Sequence, residues 1–159
     1  MAREFYMVPT LSEASQTVKL GAGTGSANNY SDADVGKLVK LSADSRYVLC
    51  AAGDEIEAVI TSVEPATQNG YSIGGVLKDD AKIWAVADGL QATPGTGTIA
   101  VGDFVVAGTI TAKGTALTSF PKVCKATAAG NTLNYKWRVV SLYTAGTGAV
   151  GSTIVIEQI

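Results

Sequence analysis

The sequence predicts an all-β protein: a compact antiparallel β-barrel or sandwich of short strands, carrying an extended N-terminal arm. Three observations lead there. Short runs rich in Val, Ile, Leu and Tyr recur between clusters of Gly, Asp, Ser and Thr. Glycine is abundant, at 18 of 159 residues, which suits tight turns. Finally, no window holds apolar residues at helical spacing over a useful length; residues 79–90 come nearest.

Taken in order, residues 1–34 read as arm and linker. Phe5, Tyr6, Val8, Pro9 and Leu11 make an apolar patch in which Pro9 opposes a helix. They are the candidate assembly contacts. Residues 21–29 (GAGTGSANN) lack apolar periodicity and read as a tether. The β domain is expected over 35–159. Residues 37–41 and 46–50 form two short runs flanking Ser42-Ala43-Asp44-Ser45, a hairpin pattern. A third run covers 56–63. Asn69-Gly70, a favoured tight-turn pair, precedes Tyr71-Ser72-Ile73 and closes a second hairpin. Strands follow at 82–86 and 104–107. Over 135–143, Tyr135, Trp137 and Val139 alternate with Lys136 and Arg138, and residues 153–159 form the last strand.

The composition removes several chemistries. There is no histidine, so Ser-His-Asp and Cys-His catalysis are excluded, and most catalytic zinc sites lose their usual ligand. Net charge is −2, without the clustered Lys and Arg that nucleic-acid binding needs. No apolar run is long enough for a spanning helix, and residues 1–5 do not open a secretory signal. Residues 21–25 lack the Lys-Ser/Thr ending and flanking elements of a phosphate loop. Asp79, Asp80 and Asp88 lack EF-hand spacing and read as a charged turn. In a strand Glu55 and Glu57 would share one side, opposite Asp54, and they read as surface. Cys50 and Cys124 read as reduced, buried thiols, since two thiolates without histidine cannot complete a structural zinc site. Trp84 and Trp137 read as core. No catalytic residue, cofactor or metal is expected.

Charge is uneven. Residues 35–97 hold 5 positive and 8 negative groups, and residues 98–159 hold 5 positive and 2 negative. Opposite surfaces of neighbouring subunits could pair in a ring.

Residues 30–41 (YSDADVGKLVKL) lead into 48–60 (VLCAAGDEIEAVI), followed by 101–106 (VGDFVV) and 151–156 (GSTIVI). This order resembles the small capsid decoration, or cement, proteins of tailed bacteriophages, whose β-rich domain carries Gly-Asp turns that open strands. The likeness covers about 35–159. It implies a structural protein of the virion, made in the host cytoplasm. Such a protein binds the major capsid protein on the outside of the expanded icosahedral head, often as a homotrimer, and stabilises the shell against DNA pressure. The competing expectation is a tail-fibre or surface β module that binds glycan or a receptor, which would expose Trp84 or Trp137.

Overall fold

The computed structural model describes residues 15–42, 45–143 and 146–159. The first sheet contains β1 (Ser15–Leu20), β2 (Leu38–Ser42), β3 (Arg46–Leu49), β4 (Ala58–Gln68) and β5 (Tyr71–Leu77). It closes into a barrel in the order β1-β3-β2-β4-β5. β2 and β3 form the expected antiparallel hairpin. β4 and β5 form the second, turned by Asn69 and Gly70 at φ 51° and 79°, the left-handed conformation that this pair accepts with least strain.

The second sheet contains β6 (Lys82–Leu90), β7 (Thr93–Pro94), β8 (Phe104–Ala107), β9 (Lys122–Lys125), β10 (Trp137–Leu142) and β11 (Thr153–Gln158). Its order is β11-β10-β8-β9-β6-β7, and a further β11–β6 pairing closes the larger five into a ring. The fold is therefore all-β, as expected, but organised as two small barrels. Most of the nearest helical window, 79–90, is strand β6.

The proposed boundary at residue 34 needs correction. Ser15–Leu20 is a strand, antiparallel to β5 and parallel to β3, because its alternating Val18 and Leu20 have a sheet edge on each side to complete. The Gly-rich stretch is also tied down. The Gly21 N–H donates to the Tyr47 carbonyl at 2.8 Å and the Gly25 N–H to that of Gly70 at 3.1 Å. Residues 1–14, with Phe5, Tyr6, Val8, Pro9 and Leu11, lie outside the described residues.

The two barrels repeat one design. In each, the first and third large strands pair parallel (β1–β3 and β6–β9) and every other neighbour is antiparallel. Register agrees as well. Leu38 pairs with Val59 as Phe104 pairs with Arg138, and Ile60 pairs with Val76 as Val139 pairs with Ile156. Even the bulge recurs, between Ile60 and Ser62 and between Val139 and Ser141. The turns before β2 and β8 match too: Gly36 and Gly102, at φ 87° and 92°, each donate at 2.8 Å to the carbonyls of Ile60 and Val139.

Equivalent positions fill the two cores with compensating volumes. Tyr47 and Ala58 in the first barrel correspond to Val123 and Trp137 in the second, and all four are buried. Close packing demands such trade-offs. The barrels are also joined by apolar packing: the first keeps its own cluster around Leu20, Val39 and Ile60, while its Leu38, Cys50, Ile56, Val59 and Leu77 join the apolar cluster of the second. The outward positions equivalent to Val59 and Leu77 are Arg138 and Glu157. These form an ion pair at 3.7 Å, so the face that docks one barrel on the next is charged in the second. A charged outer face ends a stack of repeated units.

Candidate functional site

The described residues hold buried carboxylates at Asp34, Glu57 and Asp88. Asp34 has a fully buried side chain and pairs with Lys37 at 2.6 Å. It also accepts from the Ser31 N–H at 3.0 Å and the Gly114 N–H at 2.7 Å, while Lys37 donates to the Ala112 carbonyl at 2.6 Å. This pair thus ties the long β8–β9 connection of the second barrel onto the first. Glu57 accepts from the Leu41 N–H at 2.9 Å and the Tyr47 hydroxyl at 3.0 Å. Asp88 accepts from the Thr109 N–H at 2.7 Å and faces Lys122 at 3.6 Å.

The surface expected for Glu55 and Glu57 is corrected by this arrangement. Residues 54–57 are not strand, so the alternation that placed the two glutamates together does not apply. Glu57 turns inward, and Glu55 accepts from the N–H groups of Asn134 and Tyr135 at 2.9 and 3.1 Å. Of the expected charged turn, Asp79 and Asp80 do bend the chain, both at positive φ, but Asp88 lies within strand β6 and is buried. Each buried carboxylate thus holds backbone in place, which a loop-rich β body requires of its inward-facing polar groups.

Cys50 and Cys124 are buried and unbridged. Burial pushes the Cys50 thiol up to about 12 and the Cys124 thiol up to about 11. Among the described residues no group of three or more Cys, Asp or Glu is arranged to hold a metal ion. Burial, reinforced by the Glu57 contact, also raises the Tyr47 hydroxyl. Cys50 lines a cleft between the barrels with Lys37, Leu49, Ile110, Leu117 and Lys122, whose empty volume is about 330 Å³ including its open mouth.

The tryptophans divide. Trp137 is fully buried, with its indole N–H donating to the Ile56 carbonyl at 2.9 Å. Trp84 is only partly buried, which corrects its core assignment, because the pleat of β6 turns it outward between buried Ile83 and Ala85. It meets Phe120 edge-to-face at 5.1 Å and stacks on Tyr143 at 5.3 Å. Tyr143 is 65% exposed.

Register lays out the surrounding face. Lys82, Glu157 and Arg138 form one row across β6, β11 and β10, and Trp84, Val155 and Ser141 form the next. Val86, Thr153 and Tyr143 follow, the Tyr143 N–H donating to the Thr153 carbonyl at 3.1 Å. Val155, between buried Ile154 and Ile156 in β11, points outward by alternation yet is 7% exposed. Sequence alone could have flagged Trp84 by its alternation with Ile83 and Ala85, but not the approach of Phe120 and Tyr143 from distant segments. In comparison with known proteins, the chain matches no family model, no curated protein and no solved structure.

Proposed function

We propose that this chain is a structural protein that decorates and stabilises the outer surface of an icosahedral tailed-phage capsid. It would act by binding the major capsid protein lattice as a homo-oligomer, most simply a trimer. The observation that carries the reading is the disposition of its polar and apolar groups. The buried carboxylates Asp34, Glu57 and Asp88 are occupied with backbone N–H groups, whereas Val101, Ile110, Tyr143 and Ile159 are each more than half exposed. A body tied rigidly from within and apolar at several outer points suits association through its surface. The Gly-Asp pairs of the resemblance both lie in turns, the second directly before β8: Gly53 and Gly102 have φ 86° and 92°, and Asp54 and Asp103 accept from the N–H groups of Ala51 and Ala100 at 2.6 and 2.8 Å.

The reading assigns no catalysis and no cofactor, and it places the protein on the virion exterior. Phe5, Tyr6, Val8, Pro9 and Leu11 are its proposed anchors on the lattice or a neighbouring subunit. Co-sedimentation tests it: the purified chain should pellet with mature heads and not with unexpanded precursor shells. Failure to pellet with mature heads would overturn it. A second reading, a tail-fibre or surface β module binding glycan or a receptor, draws on the partly exposed Trp84 beside Tyr143.

A further inference from the structure

The repeated barrel supplies an internal control for what covers each barrel end. By register, Leu41 of β2 corresponds to Ala107 of β8, lying opposite Tyr47 and Val123 respectively. Gln16 of β1 corresponds to Ile83 of β6, opposite Val76 and Ile156. Alternation places Leu41 on the side of buried Val39, and Gln16 on the side of Val18 and buried Leu20. These four positions therefore face the interior of their barrels at the same end. In the second barrel that end is closed: Ile83 is fully buried and Ala107 is 1% exposed. The first barrel closes it, with Cys50, Ile56 and Leu77 packed into the same cluster and the Gly53 N–H donating to the Ala107 carbonyl at 2.7 Å. In the first barrel the same end is open. Leu41 is 46% exposed, and Gln16 is exposed as well.

The polar and apolar needs of this end are met differently. In the second barrel the Ala107 N–H donates to the Asp54 carbonyl of the covering segment at 2.9 Å. Its counterpart, the Leu41 N–H, donates to the Glu57 carboxylate at 2.9 Å, an acceptor from within the same barrel. The first barrel thus satisfies this N–H group without a cover and leaves apolar surface uncovered. What precedes each barrel in the chain differs too. Asp79 and Asp80, at φ 66° and 51°, bend the chain between Leu77 in the cluster and β6. Counting back from β1, Ser12 and Glu13 take their places, and neither residue type accepts left-handed backbone as Asp does. The bend that would fold the preceding segment over its own barrel has no counterpart in the sequence, and Pro9 favours an extended residue before it. Residues 1–14 carry Phe5, Tyr6, Val8 and Leu11, apolar side chains that suit an end needing cover and not hydrogen bonds.

We infer that the open end of the first barrel receives the N-terminal arm of a second copy, with Phe5, Tyr6, Val8 and Leu11 covering Leu41 and Gln16. The inference rests on the homo-oligomer reading and names the contact that builds it. A contact between an arm and a barrel end is heterologous, so each copy gives one arm and receives one, as a closed ring requires.

The test is disulfide trapping and light scattering on the full chain. A Val8→Cys chain mixed with a Leu41→Cys chain and mildly oxidised should give the mixed covalent dimer in preference to dimers of either variant alone. Cys50 and Cys124 are buried and should stay out of the reaction. A chain carrying both changes should form covalent oligomers. Its closure into a covalent monomer would put the arm on its own barrel and overturn the inference. Leu41→Gln should weaken self-association about tenfold or more and leave the urea midpoint unchanged, as a half-exposed site allows. Should Leu41→Gln fail to fold, Phe5→Gln with Val8→Gln alters the other side of the contact and should weaken self-association by the same measure. A strict monomer, or self-association indifferent to these changes, would overturn the inference. Loss of head co-sedimentation with self-association intact would give the open end to the capsid lattice and likewise overturn it. Head binding by a chain whose self-association ignores Leu41→Gln would sink this inference alone. Sensitive oligomers that never pellet with mature heads would sink the capsid reading alone.

Discussion

At the scale of single residues, the strongest local demand is the Asp34–Lys37 pair. Both side chains are at most 4% exposed, and between them they hold Ser31, Ala112 and Gly114. Removing one partner strands a buried charge, which costs about 3–5 kcal/mol. Asp34→Ala should lower stability in urea denaturation by about that much, and the double change Asp34→Leu with Lys37→Met should lower it less. The thiols set a pH dependence. Their folded-state values, about 12 for Cys50 and about 11 for Cys124, lie above the usual 9.0. The folded chain therefore binds more protons than the unfolded chain above pH 9, and stability declines as pH rises. The contribution is complete below about pH 9 and is lost as pH climbs through 11 and 12. Thermal melts should stay flat in this respect up to pH 9 and fall beyond it, with Cys50→Ala reducing the alkaline slope.

At the scale of elements, β1 is decisive because it closes the first barrel between β3 and β5. Leu20 is fully buried there among Tyr30, Val39 and Val76. Leu20→Ala should cost about 2–5 kcal/mol, the range for emptying a packed core site. Truncation separates strand from arm: removing residues 1–14 should leave the melting temperature unchanged and, on the proposed capsid reading, weaken co-sedimentation with mature heads, whereas removing residues 1–20 should abolish cooperative melting. Equal loss of stability from both truncations would contradict this division. Gly74 in β5 is another fixed point. A Cβ there would lie 2.3 Å from the Ser62 carbonyl oxygen and 2.7 Å from Leu20 Cδ1. The second barrel carries Ile154 in place of Gly74 and the smaller Ala87 in place of Leu20, so each barrel has its own solution to the same volume. Gly74→Ala should therefore destabilise, and Leu20→Ala should relieve only the side-chain part of the strain.

At the scale of the whole molecule, two barrels joined through one apolar cluster should unfold together, because Ile56, Val59 and Leu77 from the first pack into the core of the second. Hydrogen exchange should give the Gly114 N–H protection close to that of the core strands, since it is held by buried Asp34; rapid exchange there would show the β8–β9 connection to be independent of the first barrel. The expected trimer belongs to this scale too. Of the acidic groups in 35–97, Glu57 and Asp88 are buried, so less of that negative charge is available for subunit pairing than the sequence count suggests. Light scattering at rising salt should then show weakening of the charged contact while its apolar part persists. A strict monomer at high concentration would rule out the trimer.

The sequence by itself determined the local grammar. β-branched runs, Asn69-Gly70 and the Gly-Asp turns specify short strands and tight reversals through backbone sterics, which act over a few residues. Tertiary structure decided the rest. Ser15–Leu20 became a strand only because two sheet edges lay beside it, and β9, with a lysine at each end of its four residues, has no apolar run to announce it. The repetition stayed hidden because equivalent positions conserve volume and register while their residues differ, as with Tyr47 and Ala58 against Val123 and Trp137. The unequal β2–β3 and β8–β9 connections also shift the spacing along the chain. Glu57 became a buried tie and Trp84 part of an aromatic face for the same physical reason. Burial and side-chain pairing depend on which distant segments meet, and that is settled by closure of the barrels.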